Sequence, residues 1–173
     1  MTKVKAKKGF KAFLSKFPKG KLPTTLNEKT LRHFSKENKP ISNEAIVEFT
    51  FNNKEQMPDE FTEFIACCRI PNLKDNYALV YWEGKLLENY FYLAIFDKSG
   101  NLLRKSRIGG TKSNGSMFDV VIPIVKNESE IEIRSAISNN DPYQLPPQGF
   151  STHQIHFNHT GEIKLPDNFL LVD

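Results

Sequence analysis

The sequence predicts an α+β fold, a predominantly antiparallel sheet or meander of six or more strands behind an N-terminal amphipathic helix. Three observations predict it. Across residues 63–138 six strand-like segments follow one another: 64–70, 77–82, 90–96, 102–108, 117–125 and 130–137. They are rich in aromatic and β-branched residues, which suit a pleated, half-buried surface. The connections are short and polar, as in Asp97-Lys98-Ser99-Gly100-Asn101, and such loops join antiparallel neighbours. Finally, Phe10, Phe13, Leu14 and Phe17 share one helical face while lysines populate the rest.

Taken in chain order, residues 3–17 form the expected helix. Gly9 weakens it, and Pro18 ends it by pushing the preceding residue out of the α region. Residues 19–23 are an extended linker, and 22–26 fit an edge strand. Asn27 caps a short helix over 27–35, with Thr30 near its third position and Leu31 and Phe34 facing inward. Ser42 is an N-cap candidate for the segment 43–51. There, alternation of Ala45, Val47, Phe49 and Phe51 favours a strand, whereas the spacing of Ile46 and Phe49 favours a helix. The pattern leaves both readings open. Residues 1–61 are thus a basic helical and extended segment packing on the sheet, and 62–173 the antiparallel β domain, together one structural unit.

Within the sheet, residues 77–82 and 90–96 are apolar on both faces and belong at its centre, covered on both sides. Residues 102–108 carry Arg104, Lys105 and Arg107 on both faces and suit an edge. Along 130–137, Ile131, Ile133, Ser135 and Ile137 oppose Glu130, Glu132, Arg134 and Ala136, so one face meets water. Glu83-Gly84-Lys85 is a hairpin turn, Gly109 to Gly115 a flexible hairpin loop, and Asn158-His159-Thr160-Gly161 the turn of a terminal hairpin. Trp82, Leu79, Phe91, Leu93, Ile95, Val120, Ile122 and Ile133 are expected in the core.

The Leu22-Pro23 start before this meander resembles bacterial single-domain β-meander proteins of uncharacterised function, similar to a propeller fragment. The resemblance covers most of the chain. It implies no activity and carries over no catalytic residue.

The chain holds 173 residues and a net charge of +4, but the charge is uneven. Residues 1–40 hold 12 basic and two acidic side chains, a net of +10; the remainder is net −6. A basic head on a mildly acidic body points to an anionic partner. Candidate polyanion contacts are Lys3, Lys5, Lys7, Lys8, Lys11, Lys16, Lys19 and Lys21. The long, proline-rich stretch 139–149 is the candidate partner-binding loop, with Asn139, Asn140, Asp141, Tyr143 and Gln144.

Chemistry-bearing patterns point away from catalysis. Cys67 and Cys68 are adjacent on a strand and expected on opposite faces, as buried small apolar residues. His153, His156 and His159 have a three-residue spacing, but on a strand His153 and His156 face opposite ways, so no metal and no cofactor is expected. Gly109-Gly110-Thr111-Lys112-Ser113-Asn114-Gly115 has the composition of a phosphate loop without its order or a following helix. No nucleophile elbow is present. No export signal and no run of about 20 apolar residues is visible, which makes a cytoplasmic location the expectation. The sequence therefore reads as a non-enzymatic, protein-binding domain, of which an immunity protein or antitoxin that occludes its partner is one form. The alternative is a nucleic-acid or anionic-surface binder acting through the lysine-rich N-terminus.

Overall fold

Nine strands of one antiparallel sheet and three helices make up the computed structural model, which describes residues 6–71, 73–139, 141–142, 144–146, 149–158 and 160–167. In chain order the elements are α1 (Phe10–Leu14), β1 (Thr24–Thr25), α2 (Glu28–Glu37), α3 (Asn43–Thr50), β2 (Glu63–Arg69), β3 (Asn76–Gly84), β4 (Glu88–Asp97), β5 (Leu102–Asn114), β6 (Met117–Val125), β7 (Glu130–Ser138), β8 (Ser151–Phe157) and β9 (Ile163–Lys164). Strands β2 to β9 lie side by side in sequence order, and β1 adds to β6. Sequence neighbours are spatial neighbours throughout, as short polar turns dictate.

Two apolar layers flank the sheet. On one face Phe10, Phe13 and Phe17 join Ile46 and Phe49 of α3 against Phe64, Ala66, Leu79, Tyr81, Ala94 and Phe96. On the other, Ala78, Val80, Phe91, Leu93, Ile95, Ile108, Val121, Ile131, Ile133, Ile155 and Phe157 meet one another, with Leu26 and the half-buried Leu31 and Phe34 of α2 packed on them. β3 and β4 are therefore covered on both sides. Of the expected core residues, Leu79, Phe91, Leu93, Ile95, Val120 and Ile133 are buried, whereas Trp82 and Ile122 are only half-buried. The Trp82 indole N–H reaches the Asn89 side chain at 3.2 Å, and that polar tip keeps the ring at the margin.

The N-terminal helix is shorter than its apolar spacing suggests. Gly9 adopts a left-handed φ of 83° and serves as N-cap, so the helix starts at Phe10. Lys7 lies outside the helix, its N–H donating to the Ser99 carbonyl of the β4–β5 turn at 2.7 Å. The helix is docked: Phe10, Phe13 and Phe17 are 2–3% exposed. Asn27 and Thr30 form a reciprocal capping box that starts α2. The open choice over residues 43–51 resolves as helix, because the Ser42 hydroxyl caps the Ala45 N–H and Ile46, Val47, Phe49 and Thr50 share a buried face.

Three strand expectations change. The segment Gly109 to Asn114 is part of β5, not a flexible loop, and only Gly115 and Ser116 turn the chain. Glu83 and Gly84 belong to β3, and the tip of the β3–β4 hairpin is Lys85-Leu86-Leu87. At the end of β7 the alternation inverts, with Ala136 buried and Ile137 56% exposed. The edge expectation for 102–108 stands, since β5 pairs with β6 only from Gly110 onward.

At one end of the sheet, the edge of β2 is covered by the linker. Arg69 N–H donates to the Pro18 carbonyl and Gly20 N–H to the Arg69 carbonyl, both at 2.8 Å. A β-bulge shifts the register between Ala66 and Cys68. Asn38, just past α2, donates its side-chain amide to the Ala66 and Cys67 carbonyls at 2.6 and 2.9 Å, satisfying the bulged backbone. The bulge also overturns the expectation that Cys67 and Cys68 face opposite ways, since the inserted residue turns both thiols into the same core.

Candidate binding surfaces

The candidate lysines do not form one arm. Lys3 and Lys5 lie outside the described residues. Lys7, Lys8 and Lys11 are exposed around α1, and Lys16 borders a groove between α1 and α3 that Phe13, Ile41 and Phe49 line. Lys19 and Lys21 sit elsewhere, on the strip that covers the β2 edge, exposed beside α2. Sequence reasoning assigned no contact to α2 itself, although Lys29, Arg32, His33 and Lys36 line one side of it. Their charges were already inside the +10 of residues 1–40, and their three- and four-residue spacing was the overlooked signal.

The proline-rich stretch is held at one end. Thr111 of β5 donates its hydroxyl to the Pro142 carbonyl at 2.5 Å, and Asp141 N–H reaches Ser138 Oγ at 3.3 Å. Pro142 closes a small cavity of about 30 Å³ beside Trp82, Asn89 and Leu26. Asn139 and Gln144 are exposed and Asp141 is half-buried, while Asn140 and Tyr143 lie outside the described residues.

That stretch leaves the sheet where two hairpin tips also end. Leu86 and Leu87, at the β3–β4 tip, are 77% and 76% exposed. Ser113 N–H donates to the Leu87 carbonyl at 3.2 Å, which brings the β5–β6 tip and its exposed Met117 alongside. Phe61, two residues before the Glu63–Gly84 pair, is also exposed at this end. None of these was singled out from sequence. Placing the turn two residues early hid the fact that leucines stand where polar turn residues are usual.

Behind the tip lies a dense polar cluster around Glu83, Tyr90 and Tyr92. Glu83 is buried, and Lys85 pairs with Glu83 at 3.7 Å and Glu88 at 3.8 Å. The Tyr90 hydroxyl donates to Glu88 at 2.7 Å, and the Arg107 guanidinium lies 4.0 Å over the Tyr90 ring. Arg107 Nε also donates to the Tyr92 hydroxyl at 3.3 Å. Burial, reinforced by the Glu83 carboxylate, pushes that hydroxyl up to about 12. Burial likewise pulls the Lys105 ammonium down, against the pull of Glu83, and its Nζ lies 4.9 Å from the Phe51 ring centre. Glu83, Lys85, Glu88, Tyr90, Tyr92 and Arg107 are thus linked by ion pairs, hydrogen bonds and a cation–π contact at the base of the hairpin that carries Leu86 and Leu87.

His153 and His156 are both exposed on β8, registered against Ile133 and Glu130. His159 lies outside the described residues. Among the described residues no three His, Cys, Asp or Glu side chains gather as a metal-binding group, and no helix is long and apolar enough to cross a membrane. No protein-family model, no curated protein and no solved structure matches the chain.

Proposed function

We propose that this is a non-catalytic binding domain that recognises another protein with the end of the sheet bearing the two hairpin tips. The observation that carries the reading is the set of large apolar side chains exposed there together: Phe61, Leu86, Leu87 and Met117. Exposed apolar groups rimmed by polar ones mark interaction sites. Here the rim is Lys85, Glu88 and Lys112, and the exposed Asn139 stands at the start of the proline-rich stretch that leaves this end. Lys85, paired with Glu83 and Glu88, ties the tip to the polar cluster beneath, and such a restraint lowers the ordering cost of association. An immunity protein or antitoxin, which works by covering a partner's surface, is one concrete form of such a domain.

The test is affinity capture from the source cell, comparing the wild type with Leu86→Asp/Leu87→Asp. A partner retained by the wild type and released by the double variant, with unchanged thermal unfolding, supports the reading. A partner retained equally by both variants places recognition elsewhere and sinks it.

A further inference from the structure

A second surface stands apart from the hairpin end and carries a different chemistry. α2 and the strip over the β2 edge enclose a groove of about 330 Å³. Pro18, Lys19, Gly20, Lys21 and Thr24 form one wall; Thr30, His33 and Phe34 form the other. His33 also borders a shallow groove along α2 with Lys29, Arg32 and Lys36. The two grooves thus adjoin at His33, and five permanent cations border one continuous face. Lys29 to Lys36 spans two helical turns, about 10 Å at 1.5 Å per residue. The acid among these residues is Glu28, which pairs with Arg32 at the i, i+4 spacing. Such an exposed pair is worth little and is readily exchanged for a phosphate.

We propose that this face binds the phosphodiester backbone of duplex nucleic acid without reading its sequence. The frame is preorganised. α2 starts in the Asn27–Thr30 capping box, is tied at its far end through Asn38 to the β2 bulge, and packs Leu31 and Phe34 on the core. The cations therefore sit on an anchored helix and strip, while each long side chain still adjusts to a phosphate. A lipid surface fits less well. Interfacial helices insert apolar side chains between headgroups. Here Phe10, Phe13 and Phe17 are buried, and Leu31 and Phe34 are packed on the core. Among the bordering residues His33 alone carries an exposed ring, and Phe34 is packed on the core, so successive bases find no stacking platform and the backbone is what remains to be recognised.

The experiment is fluorescence anisotropy of a labelled 20-base-pair DNA duplex of mixed sequence, titrated with the full chain between about 50 and 200 mM salt. Five phosphate contacts would give a log–log salt slope of about −4.5, and so a loss of two to three orders of magnitude across that range. Lys29→Glu/Lys36→Glu is compared with Arg104→Glu/Lys164→Glu, exposed cations of β5 and β9 whose reversal changes net charge equally. The expected result is at least tenfold weaker binding and a slope shallower by about two for the α2 pair, with less than threefold weakening for the control. Equal weakening by both pairs would reduce the effect to net charge and overturn the proposal. So would no binding at the lowest salt, or binding of phosphatidylserine vesicles in preference to DNA. Circular dichroism of both variants must match the wild type; if the α2 pair unfolds, Lys29→Gln/Lys36→Gln replaces it under the same criteria.

Discussion

Gly109 of β5 and Pro123 of β6 meet where the two strands part. A Cβ built on Gly109 would lie 2.4 Å from Pro123 Cδ. Pairing of β5 with β6 runs from Gly110–Val121 to Asn114–Met117 and goes no further toward Pro123. Beyond it β1 takes over, Thr25 against Ile124 and Thr24 against Val125, and Leu26 N–H uses the Pro123 carbonyl at 2.8 Å. Proline has no N–H to offer a ladder, so it suits the point at which one neighbour leaves and another arrives. Gly109→Ala should therefore destabilise the protein by about 1–3 kcal/mol through overpacking, read from urea unfolding. An unchanged midpoint would show that the strands can part further at no cost.

Leu93 and Ile95 lie at the centre of the sheet, 0% and 1% exposed, with neighbours on both sides of β4. Leu93→Ala and Ile95→Ala should each cost about 2–5 kcal/mol in equilibrium unfolding. A loss below about 1 kcal/mol would mean that the site collapses around the missing methyl groups.

The two thiols should be slow to react. Burial pushes Cys68 up to about 12 and Cys67 well above its ordinary range, the neighbouring thiol adding to the latter. The thiolate is the nucleophile, so at pH 8 only about one Cys68 in ten thousand is competent even where reagent can enter. Alkylation by iodoacetamide should be slower than for a free thiol by at least about a thousandfold, and 6 M urea should restore it. Rapid modification of the folded protein at pH 8 would show that the Lys19–Gly20–Lys21 strip opens readily.

Asp97 supplies a pH dependence. Burial works to raise its carboxyl, but the Asn101 side chain and the N–H groups of Asn101, Ser99 and Gly100 outweigh that and hold it below the ordinary 3.8. Its contribution is therefore complete above the unfolded value and is lost as pH falls through the lower folded value. The stability difference between wild type and Asp97→Ala should be flat from about pH 5 to 8 and shrink below about pH 4. A difference constant down to pH 3 would assign Asp97 a purely steric role in the β4–β5 turn.

Leu86→Ser/Leu87→Ser should leave unfolding within about 0.5 kcal/mol of wild type, since both side chains are mostly in water. A larger loss, measured by thermal or urea unfolding, would show that the tip contributes to the fold itself.

Sequence by itself determined the strand order, because alternating segments joined by short polar turns can hardly pair except with their neighbours. It also determined the capping of α2 by Asn27 and Thr30 and the apolar faces of β3 and β4, since these rest on periodicity and local hydrogen bonds. Tertiary structure decided the rest. Gly9 reads as a weak helix residue until the chain must turn into Ser99 of the β4–β5 hairpin, where its left-handed backbone becomes the start of the helix. Residues 43–51 satisfy two periods at once, and packing of Ile46 and Phe49 beside Phe10 and Phe13, with the Ser42 cap, selects the helix. The facing of Cys67 and Cys68 depends on a single inserted residue in β2, which no pattern of period two can show. Both candidate surfaces are assembled from residues far apart in the chain, Phe61 with Leu87 and Met117, Lys19 with His33. Local spacing carries no information about such meetings, because it is the folding of the sheet and the docking of α2 that bring them about.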